Sequence, residues 1–237
     1  MRSAEDVAEL SYELLSAVKR DEQSETYLSR IADLDESSLA ALDTDESAAK
    51  AFWINLYNAA VQYTLDRDPS VYGNRRRFFR RDRISVAGSR LSLDDIEHGV
   101  LRSSKWKYGL GYLPRPFPSG FERSHRLSEV DPRLHFALNC GAESCPPIVA
   151  YTAGRLDEEL ETSTRSFLDG AARYEPEANE VTVSRLFLYY RGDFGGRQGI
   201  YSFLEMYGVI GEGERPRVRY DAYDWTVHTR KFRTART

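Results

Sequence analysis

The chain has 237 residues, of which 41% are hydrophobic, and a formal net charge of −4. That length can bury a sizeable core in one or two domains. Its 15 Tyr, 11 Phe and 3 Trp exclude the aromatic-poor composition of a disordered chain. The acidic balance excludes a globally basic nucleic-acid surface, so nucleic acid is not indicated as a partner. No run of about 18 apolar residues offers a membrane-spanning helix. Acids within the first ten residues interrupt the apolar core that a secretory signal needs. A cytoplasmic protein with no membrane partner is expected. Its two cysteines, Cys140 and Cys145, are expected to be thiols in a reducing compartment.

Residues 1–49 hold 13 acids against 4 basic residues. Val7, Leu10, Leu14 and Val18 recur at helical spacing and predict an amphipathic first helix. Residues 1–46 are read as an acidic helical extension, and 47–230 as the core of a single domain. A helix over Ser47 to Asp66 is apolar nearly all round, which marks it as central and buried. Asn55, Asn58 and Gln62 form a polar stripe on it. The stripe faces water, or its amides are buried and orient a catalytic group or ligand. Arg75 to Arg83 holds six arginines, read as a solvated surface paired to acids elsewhere.

Ile84 to Leu91 predicts a hairpin around Gly88. Ser92 then caps a helix from Leu93 that carries Glu97 and His98. Residues 103–124 read as a long ordered loop. The 131–141 segment has helix start and stop signals, but Leu134, Phe136 and Leu138 alternate as in a strand. A strand or short buried element is expected there. A helix over Arg155 to Ala171, a hairpin through Tyr174 and Val181, and two helices around 184–190 and 200–207 complete a predominantly helical α+β domain with small sheets or hairpins. A basic tail follows, with Arg230, Lys231, Arg233 and Arg236.

The chemistry concentrates between His135 and Pro147. A nucleophilic thiol needs a lowered pKa and a base within reach. Cys140 and Cys145 are the candidate nucleophiles; His135, His98 and Glu97 are the candidate acid–base groups. Pro146 at a first helical position would put the Cys145 sulfur at a helix N-terminus, which favours a thiolate. Gly141 and Ala142 admit close substrate approach and could present oxyanion-binding amides. Asp193, among glycines, could orient a histidine, as could Asn55 or Asn58. The bland alternatives are a cysteine packed as a small hydrophobe, a core histidine and a turn aspartate. A zinc set of Cys140, Cys145, His135 and His98 has suitable ligand types but no common spacing.

Phe52-Trp53-Ile54-Asn55-Leu56-Tyr57-Asn58-Ala59, Ile96-Glu97-His98-Gly99-Val100-Leu101-Arg102, Asp131 to Pro147, Tyr190-Arg191-Gly192-Asp193-Phe194-Gly195 and Tyr223-Asp224-Trp225 together resemble the DUF547 domain family, named for its unknown function. The resemblance runs from about residue 50 to 226 and implies one domain containing both cysteines. It supplies no reaction. The cysteine motif is similar in short pattern to that of papain-like thiol hydrolases, and by that analogy a papain-like fold would be implied. Thr226-Val227-His228 departs from the family's usual final motif.

Three readings follow. The first is a thiol-dependent hydrolase or acyl transferase acting on a small molecule or peptide, with no cofactor and no metal. The second is a non-catalytic binding or scaffold domain. The third is a zinc or thiol-redox site.

Overall fold

A computed structural model of the protein describes residues 2–233. Helix α1 (Ala4–Arg20) starts at a capping box in which Ser3 and Asp6 exchange side-chain-to-backbone bonds. It buries Val7, Leu10, Leu14 and Val18, the predicted stripe. After α2 (Glu25–Ala32) and α3 (Glu36–Ala41), Asp45 caps α4 (Glu46–Arg67) by accepting from the Ala48 amide. The 22-residue α4 is buried on nearly every side and forms the spine of the larger core, packed by α1.

Asp68-Pro69 ends α4 in a short 3₁₀ segment, followed by α5 (Arg75–Arg80). Only Phe78 and Phe79 of α5 are buried. Arg75, Arg76, Arg77, Arg80 and Arg81 are exposed, and none forms an ion pair among the described residues. The expectation that acids elsewhere pair this run is therefore corrected.

Strands β1 (Ile84–Val86) and β2 (Ser89–Leu91) pair antiparallel across Ala87-Gly88, both at positive φ as a tight hairpin requires. Ser92 exchanges bonds with Asp95 at the start of the next helix, as its sequence predicts. That helix is not α-helical. Residues Asp95–Leu101 form a π-helix, in which Arg102 and Ser104 bond back five residues, to Glu97 and Gly99. Such widened turns are rare and often occur at functional sites.

The loop after it leads to α6 (Gly120–His125). Residues Pro132–Phe136 form a 3₁₀ turn capped by Asp131. The segment is short and buried, but it is not a strand, because it finds no strand partner. Helix α7 (Leu156–Ala171) precedes a three-stranded sheet of order β3 (Arg173–Glu175), β4 (Glu180–Val183), β5 (Arg217–Tyr220). Strand β3 is antiparallel to β4, and β5 is parallel to it. Helices α8 (Leu186–Tyr189) and α9 (Gly196–Met206) pack Phe187 and Phe203 with Phe136 and Phe194 into a second apolar cluster. The whole is a predominantly helical α+β single domain with two small sheets. No helix among the described residues is long and apolar enough to cross a membrane. Arg236 lies outside the described residues.

Candidate functional site

A cavity of about 440 Å³ opens where the two apolar clusters meet. Its wall takes Tyr57 from α4, Glu97 and His98 from the π-helix, His135 from the 3₁₀ turn, Cys140 and Cys145 from the following loop, and Tyr190 and Tyr223 from the C-terminal third. Volumes of this order suit a small ligand.

The loop bearing the cysteines is fixed by the amide stripe of α4. Asn55 donates to the Tyr151 carbonyl at 2.7 Å and accepts from the Tyr151 amide at 2.9 Å. One turn later, Asn58 donates to the Ala137 carbonyl and accepts from the Asn139 amide, at 2.9 and 2.8 Å. Gln62 accepts from the Arg230 amide at 2.7 Å. All three side chains are fully buried, so none of the stripe faces water. Each amide imitates a peptide group and holds a segment that has no regular ladder of its own. Asn139 continues the pattern by accepting from Gly141 and donating to the Pro146 carbonyl.

The two sulfurs lie 3.0 Å apart as free thiols. Cys140 is partly exposed and Cys145 buried. Burial alone would push the Cys145 thiol up. Hydrogen bonds to its sulfur from the Cys140 thiol, the Tyr223 hydroxyl at 3.3 Å and the amides of Ala142 and Cys140 overcome it, bringing the pKa to about 7. The Cys140 thiol, donating to Cys145, is pushed up. The pair therefore loses one proton near neutrality and holds the other. No helix follows Pro146, since residues 146–147 are irregular. The expected helix N-terminus beside Cys145 is corrected: individual amide, thiol and phenol donors take its place. The Gly141 amide is spent on Asn139, and Ala142 faces the sulfur. Neither residue lines the cavity.

Across the cavity stands a buried polar cluster. Glu97 accepts from Tyr190 at 2.7 Å and Tyr57 at 3.0 Å. Burial opposes its charge, but His98, the Tyr190 hydroxyl and Arg102 hold its pKa down at about 2. His98 is driven by burial to about 4, so it is neutral at neutral pH. Above that value the tyrosines and Arg102 carry the stabilisation of Glu97. Arg102, with no exposed surface, bridges His98 Nδ1 at 2.8 Å and Asp193 Oδ2 at 2.6 Å. Asp193 also meets His135 Nε2 at 2.9 Å. Burial works against the Asp193 charge, yet His135 and Arg102 keep its pKa below the usual value; burial likewise lowers His135.

These contacts fix both tautomers. A guanidinium only donates, so His98 Nδ1 accepts and its proton sits on Nε2. A carboxylate only accepts, so His135 Nε2 donates to Asp193 and Nδ1 is its acceptor nitrogen. No hydrogen bond joins either histidine to either sulfur among the described residues. No group of three or more His, Cys, Asp or Glu side chains among them is placed to hold a metal ion, so the set Cys140, Cys145, His135 and His98 does not converge.

Sequence reasoning did not single out Tyr57, Arg102, Tyr190 or Tyr223 as functional. Arg102 lies four residues after His98, the one local hint. The tyrosines come from distant segments and give no spacing signal.

No curated protein and no solved structure matches the chain. The family described as "Protein of unknown function, DUF547" matches residues 41–168, a stretch that includes α4, the π-helix and both cysteines. With more than half of its length matched in this way, the chain belongs to the DUF547 family.

Proposed function

We propose that the protein is a thiol-dependent hydrolase or acyl transferase acting on a small acyl compound. The observation that supports this most is the sulfur pair, 3.0 Å apart with Cys145 ionising near 7, opening on the same cavity as a neutral histidine fixed by a carboxylate.

Cys145 is the nucleophile. Its thiolate forms a bond to the acyl carbon, and the bond to the leaving group breaks with its electron pair. The Cys140 thiol supplies the proton that the leaving group takes. In the second half, His135 Nδ1 accepts a proton from water, and the hydroxyl adds to the thioester carbon. The carbon–sulfur bond breaks, and Cys145 leaves as thiolate. The proton on His135 returns to Cys140. The sum is acyl compound plus water giving acid plus leaving group; an alcohol or amine in place of water gives acyl transfer. Asp193 keeps His135 in the tautomer this needs. His98, tied through Nδ1 to Arg102, is the weaker candidate base, and Glu97 holds the two tyrosines.

The test is iodoacetamide alkylation followed against pH with peptide mapping, alongside turnover of aryl esters and thioesters of graded chain length. Labelling of Cys145 with a midpoint near 7, and turnover lost in Cys145→Ser, are expected. An ordinary thiol pKa, labelling only after unfolding, or undiminished turnover by Cys145→Ser overturns the reading.

A further inference from the structure

The exposed apolar surface of this protein is concentrated in one place. Among the described residues, the large hydrophobic side chains left exposed are Trp106, Tyr108, Leu110, Tyr112, Leu113 and Phe117, with only Met206 and Val227 elsewhere. Phe117 is 97% exposed. Scattered single apolar residues are ordinary on a surface, but a contiguous group is not.

The loop is held in shape rather than left loose. The Trp106 amide donates to Leu113 at 2.9 Å, Tyr112 to Gly109 at 2.9 Å, and Gly192 to Leu110 at 2.7 Å. Its side chains are thus presented outward by a fixed backbone. Two of its cations are paired, Lys107 with Asp94 and Arg115 with Asp95 and Glu122. Next to it stands α5, whose exposed arginines have no acid partners among the described residues. A contact joins the two, since Lys107 lies over the Phe79 ring at 4.9 Å. Phe79, Lys107, Tyr108 and Leu110 all line the cavity, so the exposed loop and α5 both contribute to its wall.

We propose that this face rests on an anionic phospholipid surface, with the loop inserted among the headgroups and the α5 arginines against lipid phosphates. Trp and Tyr favour the membrane–water boundary, and Arg is drawn to an anionic leaflet. A nucleic acid would use the arginines but leave Leu110, Leu113 and Phe117 without a role. Lying on a surface requires no spanning helix. The cavity then opens towards the bilayer, and its substrate class is a lipid-borne acyl ester or thioester. That last clause rests on the thiol reading; the docking does not.

The test is flotation with vesicles of phosphatidylcholine alone and of phosphatidylcholine mixed with phosphatidylglycerol, at low and high salt. Binding to the mixed vesicles at least about tenfold above the neutral ones, and weakened by salt, is expected. Arg76→Glu with Arg80→Glu should abolish the preference. Leu113→Ser with Phe117→Ser should cut binding about tenfold. All four are exposed positions, and circular dichroism checks their fold. No binding by the wild type, or binding undiminished in Leu113→Ser/Phe117→Ser, overturns the proposal; the latter marks a polyanion site of another kind. Cys145→Ser should float like the wild type. Turnover undiminished in Cys145→Ser, with flotation retained, would count against the thiol reading alone.

Discussion

The ring of Tyr190 lies flat on the imidazole of His135, with centroids 3.8 Å apart and planes 14° from parallel, while its hydroxyl donates to Glu97. One side chain thus links two ionisable groups that share no bond. Tyr190→Phe keeps the stacking and removes only the donor. It should cost about 1–3 kcal/mol, because it takes a bond from a buried carboxylate. Urea denaturation reads the loss, and the Glu97 pKa should rise from about 2.

Acid should destabilise the protein in two overlapping steps. Glu97 has its folded pKa lowered from 4.5 to about 2, so its stabilisation is present above 4.5 and disappears as pH falls towards 2. His98 is lowered from 6.5 to about 4. Between those values the unfolded chain binds a proton that the folded chain refuses, so stability drops as pH falls through that window as well. Each step is on the order of 3 kcal/mol at most. His98→Asn, which can still accept from Arg102, should flatten the slope of stability between pH 4 and 6.5, as followed by denaturation at a series of pH values. An unchanged slope would assign the window to His135 instead.

Asn58→Ala should do more than destabilise. It leaves the Ala137 carbonyl and the Asn139 amide without their buried partner, a cost of roughly 2–5 kcal/mol. Asn139 adjoins Cys140, so the donors converging on Cys145 should loosen. Its reactive pKa should move from about 7 towards the ordinary thiol value, measured by alkylation under conditions where the variant remains folded.

Gly192→Ala tests the seating of the exposed loop. A Cβ there would meet the Gly111 carbonyl carbon at 2.4 Å and the Tyr112 amide at 2.6 Å. Backbone cannot yield as a flexible side chain does, so the loop must lift away from the turn that bears Asp193. Limited proteolysis should then cut within 106–117 in the variant and spare it in the wild type.

Much of the helical frame was legible from apolar periodicity, which reports burial directly. The α1 stripe, α4, α7 and both hairpins belong to this class. The 131–141 segment was not. Alternating Leu134, Phe136 and Leu138 mean burial, and burial alone does not separate a strand from a tight turn; a missing strand partner decided it. The residue types of the site were visible in their motifs, but their pairing was not. Asp193 reaches His135 across 58 positions, and Glu97 reaches Tyr190 across 93. Such links depend on how α4, the π-helix and the C-terminal third pack, and one chain's spacing carries no record of that. Nor did composition show that the arginine run would lack acids, since abundance does not fix proximity.

A π-turn encloses one residue more than an α-turn between its bonded peptides. Deleting a residue from 95–101 would let an ordinary helix form with better backbone geometry. It would also rotate everything beyond the deletion by about 100° around the axis. Glu97, His98 and Arg102 could not then all keep Tyr190, the cavity and Asp193. Gly99 adds a constraint of its own, since a Cβ there would meet the buried Glu122 side chain at 2.7 Å and force it to shift. The cavity is therefore written partly in chain length: a shorter segment would make the better helix and leave the acid, the imidazole and the guanidinium facing different walls.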